Sequence, residues 1–363
     1  MTRRWGPIVT GVALALTFAV LVALGTLNPS AKDADGADGA EAPSWMRKLE
    51  PGEKPPQFVL FSFDGAGSHD HWRRILPIAD KVHAHVTGFL SGVYLLPDSR
   101  RGAYTGPGHQ PGHAAISFGG SEQEVDTRIA DLNDALERGH EIGTHYNGHF
   151  CTGNEPGGKQ WTTADWNSEL DQFFRFVQDG VTHGLQLDAN EIKGGRAPCQ
   201  EAKFARLAPA LTEHDMTYDS SLTSAGIAWP RLRDGIWEFA VPVVKVPALG
   251  RKVVLADYNL WYALNGARED PSRDKEFTEV TLDAYRAAYQ AALNTNRAPL
   301  TIATHFNDWS GGAFSAATER FMGEVCVREH TVCTTYSQVI RWMKLQDPEV
   351  LDTFRTMPNA HVT

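Results

Sequence analysis

Two imidazoles four residues apart, His145 and His149, close the segment Gly139-His140-Glu141-Ile142-Gly143-Thr144-His145-Tyr146-Asn147-Gly148-His149. That is metal-ligand spacing. If the chain turns into a helix after Gly143, positions i and i+4 share a face and both rings reach one divalent ion. Three other ionisable residues stand where short apolar runs stop. Phe58-Val59-Leu60-Phe61-Ser62-Phe63 is closed by Asp64-Gly65-Ala66-Gly67, Leu300-Thr301-Ile302-Ala303-Thr304 delivers His305, and Gly194-Gly195-Arg196-Ala197-Pro198-Cys199 sets Arg196 in a Gly/Pro-punctuated loop. Together they suit amide hydrolysis. A divalent ion on the two histidines would acidify a water, Asp64 would take its proton, Arg196 would hold that carboxylate through a bidentate contact, and His305 would protonate the departing amine.

Other residues carry weaker signals. Asp219, in Met216-Thr217-Tyr218-Asp219-Ser220-Ser221-Leu222, either orients His305 or closes an Asx turn. Asp257 follows a β-rich run and is a second candidate for a carboxylate in the cleft. Tyr146, Trp261 and Trp309 are placed to stack on sugar rings, although burial is the commoner use of one such ring. His69, Asp70 and His71 read as a polar loop or helix start facing solvent. His109 and His113 belong to a Gly/Pro/His-rich stretch, 96–124, that reads as a solvated insertion bordering the cleft.

The elements that must carry these residues follow a β/α rhythm. Strand-like runs alternate with amphipathic helices at 125–138, 165–177 and 278–293, without a fixed-period repeat. Catalytic candidates at strand ends suit the C-terminal face of a barrel. In order, Ser62-Phe63-Asp64-Gly65, then His145 and His149, then Arg196-Ala197-Pro198-Cys199, then His305 resemble the motifs of the polysaccharide deacetylase family, the NodB homology domain or carbohydrate esterase family 4. The resemblance spans Gln57 to Trp342. It implies a distorted (β/α)7 barrel over residues 57–350, a bound divalent metal with zinc the default, and removal of acetyl groups from an N-acetylated polysaccharide such as peptidoglycan or a chitin-like polymer. The chain departs from that family at one point. The family carries two consecutive aspartates in its first motif, as base and as metal ligand, whereas here Asp64 is followed by Gly65. Asp64 aligns with the base. The third ligand is then Asp64 itself, a residue folding back from 68–71, or none. Two alternatives stay open: a glycan-binding surface protein that has lost turnover, and an O-acetyl esterase using the same groups.

Whole-chain features place these residues outside the cytoplasm. Lys and Arg number 34 against 44 acidic residues in 363, a net charge of −10 with no basic stripe, so a nucleic-acid partner is not expected. Arg3 and Arg4 precede an uncharged stretch from Trp5 to Ala31. Residues 1–28 are expected to be a transmembrane signal anchor, with secretion after cleavage as the alternative, and residues 29–56 an acidic linker. The catalytic domain would then be extracytoplasmic on a single-pass membrane protein. Four cysteines allow three pairings. Cys326 and Cys333 bracket a short loop, which leaves Cys151 to pair with Cys199 and tie the segment after His149 to the loop carrying Arg196.

Overall fold

A computed structural model describes residues 43–363 apart from 152 and 154. The expected anchor at 1–28 and the first part of the linker lie outside the described residues; within them no helix is long and apolar enough to cross a membrane. Residues 43–56 form no helix or strand, yet Trp45 meets Phe58 edge-on at 5.7 Å and the Leu49 amide donates to Gln346 Oε1 at 2.9 Å. The lead-in is packed onto the domain from Trp45 onward.

Strands alternate with helices along most of the chain. They run β1 (Gln57–Gly65), α1 (His69–Lys81), β2 (Thr87–Leu90), α2 (Glu122–Glu137), β3 (Glu141–Thr144), α3 (Thr163–Thr182), β4 (Gly194–Gly195), α4 (Phe204–Glu213) and β5 (Tyr218–Asp219). Short strands follow: β6 (Thr223–Ala225), β7 (Arg231–Arg233), β8 (Ile236–Glu238), β9 (Val241–Val246) and β10 (Arg251–Val254). The chain closes with α5 (Asp257–Asn265), α6 (Asp274–Asn294), β11 (Leu300–His305), α7 (Trp309–Val325), β12 (Thr331–Cys333), α8 (Tyr336–Leu345) and α9 (Pro348–Arg355). The helices expected at 125–138 and 165–177 begin earlier, because Ser121 with Glu124 and Thr162 with Asp165 form capping boxes that satisfy the first backbone amides.

The main sheet runs β11-β1-β2-β3-β4-β5-β8-β7, with parallel pairing at every step up to β8 and an antiparallel last step. Helices cover such a sheet on its outer face, so its strands are apolar on both sides: Phe58, Val59, Leu60 and Phe61 of β1 are all fully buried. A second sheet, β10-β9-β6, touches it through the bridge Ala256–Ala303. This is a curled, half-barrel α/β domain.

Candidate active site

Parallel register gathers the strand tips. Asp64 is the Cα partner of His305 across β1 and β11, Leu90 of β2 pairs Thr144 of β3, and Thr144 pairs Gly195 of β4. The residues immediately after those last two, His145 and Arg196, therefore emerge on the same edge as Asp64 and His305. The approach of β3 to β4 demands glycine: a Cβ on Gly195 would meet Thr144 Cγ2 and its carbonyl oxygen at 2.5 Å.

Arg196 is completely buried and is the hub. Its Nη1 donates to Asp64 Oδ1 at 2.7 Å, while Nη2 donates to Ser62 Oγ (3.0 Å), Ser220 Oγ (2.9 Å) and Tyr336 OH (3.0 Å), and Nε to the Ser220 carbonyl (3.0 Å). The expected bidentate contact is thus a single one, since Nη2 is committed to hydroxyls and Nε to a backbone carbonyl. Burial pushes the Asp64 carboxyl up, but Arg196, with His145 and His305, more than offsets this and holds it below the usual carboxylate range.

No helix carries the histidine pair. After β3 the chain forms an irregular loop in which Tyr146 (φ 58°) and His149 (φ 56°) take left-handed conformations, and this folding, rather than i,i+4 stacking, brings the two rings to 5.1 Å. The His145 Nδ1 faces the Arg196 carbonyl at 2.7 Å, so it carries the hydrogen; Nε2 is then a lone pair, buried and without a partner among the described residues. Burial pushes His145 down to about 3 and lowers His149 too, so both are neutral, as ligation requires. An orphaned neutral imidazole nitrogen oriented from behind by a backbone carbonyl fits a divalent metal. His145 and His149 would hold it; Asp64 does not join them, since among the described residues no three-donor group with ligand atoms within 4.8 Å of one another includes His145 or Asp64. His149, Cys151 and Cys199 also cluster, but the two sulfurs are bonded to each other and offer no thiolate.

Across the cleft, His305 Nδ1 lies 2.7 Å from Asp257 Oδ1, and Asp257 Oδ2 accepts from the His305 amide (2.7 Å) and Asn307 Nδ2 (2.8 Å). Burial pushes this imidazole down, but Asp257 outweighs that and lifts it to about 9. Its side chain is 30 % exposed, so the protonated ring is reachable.

Several expectations need correction. Asp219 does not hold His305; it accepts from Ser221 Oγ (2.5 Å) and the Ser221 amide (3.2 Å), the Asx-turn alternative, while Asp257, the other candidate cleft carboxylate, is the one that orients His305. Tyr146 is buried against Trp166 and Trp261 stacks on Trp309 at 4.8 Å, leaving half-exposed Trp309, 5.4 Å from His305, and exposed Tyr258 at the mouth. His71 does not face solvent. It is buried, stacked on Phe306, and hydrogen-bonded to the Asn307 carbonyl at 3.0 Å, while the half-exposed His69 pairs with Asp131. Neither completes a metal sphere. The disulfides are Cys151–Cys199 and Cys326–Cys333. A cavity of about 520 Å³ between Trp45 and His330 contains none of these groups; one of about 210 Å³ adjoins Asp64, Gly65 and Tyr94.

No protein-family model and no curated protein matches the sequence. Among solved structures, a "putative polysaccharide deacetylase" from Mycobacterium smegmatis is 15% identical, covers 87% of this chain and 97% of its own, and superposes with a TM-score of 0.50. The PuuE allantoinase follows at 13% identity and a TM-score of 0.48, covering 80% of this chain and 91% of its own. A family 4 carbohydrate esterase from Streptomyces lividans, in complex with acetate, is 12% identical with a TM-score of 0.40, covering 78% and 94%. What the first likeness carries is the architecture: this chain has the mixed α/β fold of the polysaccharide deacetylase, or NodB homology, type.

Proposed function

We propose that this chain is a metal-dependent hydrolase that removes acetyl groups from an N-acetylated cell-surface or extracellular polysaccharide, peptidoglycan or chitin-like, on a distorted (β/α)7 scaffold. One observation carries the reading: an ionised carboxylate fixed by Arg196 and a protonated histidine fixed by Asp257 face each other from adjacent strand tips, beside two neutral imidazoles. Asp64, held charged by Arg196, is the base that accepts a proton from the attacking water. His305 gives its proton to the sugar amine as the C–N bond breaks, which an amine needs in order to leave, and such help is worth about 10²–10⁴-fold. Asp257 keeps Nδ1 protonated and Nε2 aimed outward. When bound on His145 Nε2 and His149, a divalent ion, zinc by the ligand types, supplies water acidification and carbonyl polarisation. Trp309 and Tyr258 offer stacking faces beside His305.

The location proposed is extracytoplasmic, tethered through residues 1–28; the two disulfides suit an oxidising compartment. Protease accessibility of intact cells and membrane fractionation test this. For the chemistry, acetate release from chitin oligomers and peptidoglycan is measured together with zinc content, in the native chain and in His145→Ala. Joint loss of metal and acetate release supports the reading. Absence of both in the native chain, even after adding zinc or cobalt, overturns it.

Gly65 favours a second reading, a glycan-binding protein without turnover. Its φ is +88° and a Cβ there would lie 3.7 Å from the Tyr94 ring, so where the family has its second aspartate this chain ends β1 on a left-handed glycine beside an aromatic ring. Retained binding to insoluble glycan without acetate release would establish it.

A further inference from the structure

Away from the Asp64–His305 centre, a second group of metal-type donors converges from two loops. His109 and His113 belong to a turn in the 96–124 insertion, and Glu155 to the segment after Cys151; their ligand atoms all lie within 4.8 Å of one another. His109 Nδ1 is 3.4 Å and His113 Nε2 2.8 Å from the same oxygen, Glu155 Oε2. The tautomer of His109 follows from its other side. Nε2 stands 2.7 Å from the Pro156 carbonyl, which can only accept, so Nε2 carries the hydrogen. In the neutral ring Nδ1 then points a lone pair at a carboxylate oxygen, which also can only accept. Nor can the ring turn away, because it stacks on Phe150 at 3.6 Å and 9° and its side chain is 4 % exposed.

Two facing acceptors require a cation between them, either a second proton on His109 or a metal ion. The donor set favours the metal. Two imidazoles and a carboxylate are zinc-class ligands, and at bond lengths of about 2.0–2.2 Å neighbouring ligands of a tetrahedral ion stand about 3.3 Å apart, close to the 3.4 Å between His109 and Glu155, whereas His113, hydrogen-bonded to Glu155 at 2.8 Å, would exchange that bond for the ion by a small outward shift of an exposed side chain. The Nε2–H contact to a carbonyl is the outer-shell bond that orients a metal-bound histidine, as at His145. His113 and Glu155 are 46 % and 44 % exposed, which gives an entry path and a position for water.

We propose that His109, His113 and Glu155 form a second, zinc-class divalent site, separate from His145 and His149, that staples the 96–124 insertion to the segment after Cys151. Phe150, which carries the His109 ring, directly follows His149, so the staple braces the loop that presents a candidate catalytic ligand.

The test is zinc per chain in the full-length, tag-free protein after loading and gel filtration, together with the visible absorption of the Co²⁺-loaded form. The His145→Ala/His149→Ala double variant is expected to retain one equivalent, which His113→Ala or Glu155→Gln, both at exposed positions, then removes along with the four-coordinate Co²⁺ band. Zinc retention unaffected by either exposed-site change, or no zinc retained in the double variant, would falsify the second site. A native chain with one equivalent that survives the double variant and vanishes with His113→Ala would support this site while overturning metal at the catalytic one.

Discussion

Asp64 and Glu169 are two acids withdrawn from water beside the 145–149 loop, and their proton affinities are shifted in opposite directions. Burial pushes both up. At Asp64 the guanidinium of Arg196 reverses the push and the group stays ionised. Glu169, fully buried on α3, receives only neutral donors: Tyr104 OH at 2.9 and 3.1 Å, and the amides of Asn147 (3.3 Å) and Gly148 (3.4 Å). These soften the effect of burial without cancelling it, and the carboxyl is raised to about 7. Neutral hydrogen bonds fix where a buried acid sits; a full positive charge is needed to keep it charged. One acid thereby suits the proton transfer proposed for it, and the other shapes the loop that presents His145 and His149.

Replacing Arg196 with Met should turn Asp64 into a second Glu169. It leaves a buried carboxylate unpaired and strips partners from Ser62, Ser220 and Tyr336, so a loss of about 3–5 kcal/mol is expected in urea unfolding. In the folded remainder the acid limb of acetate release should move toward neutral pH; a limb that stays put would show that Arg196 does not set the charge of Asp64. His305→Ala should cost about 10²–10⁴-fold on an N-acetyl substrate and clearly less on an O-acetyl ester, whose leaving group needs less protonation. In the native chain acetate release should fall as pH rises through about 9, where His305 gives up its proton. Activity unchanged up to pH 10 would remove His305 from the role of acid.

Glu169→Gln probes the other acid through stability. The folded carboxyl keeps its proton up to about 7 against 4.5 for the free group, so its contribution is complete below 4.5 and is lost as pH rises through 7. The amide does not titrate, and the variant should therefore gain on the native chain across that window by up to about 3 kcal/mol in urea unfolding. A difference independent of pH would mean that Glu169 is charged throughout. Smallest is Tyr104→Phe, which removes one donor: about 1 kcal/mol less stable, with the pH window moved further up. No upward movement would mean that Tyr104 does not help hold the charge.

The strand tips were legible because β1 and β11 are short apolar runs ending on an ionisable residue, and parallel register brings such ends together. The partners of Arg196 other than Asp64, and the residues around the histidine loop, were less so. Ser62 and Asn307 stand two residues from Asp64 and His305 and carried a local hint, but Tyr336 and Glu169 reach the site only through tertiary packing, without a spacing signal. The histidines are adjacent, but not by the helical route that their i,i+4 spacing offered, since two left-handed residues make a loop there. Asp219 and Asp257 looked alike as carboxylates after β-rich runs. Ser221 beside the first, and the His305 amide and ring beside the second, decided their different uses.

Because Asp64 and His305 are register partners on neighbouring strands, the spacing of the two backbone positions that carry the proposed base and the proposed acid is set by the hydrogen bonds of the sheet. A slip of one residue in either strand would turn that strand's side chain to the opposite face and separate the two. The loops that shape the cleft can therefore lengthen, shorten or change composition while the proton-transfer pair keeps its separation, so specificity on this scaffold is free to diverge without re-engineering the chemistry.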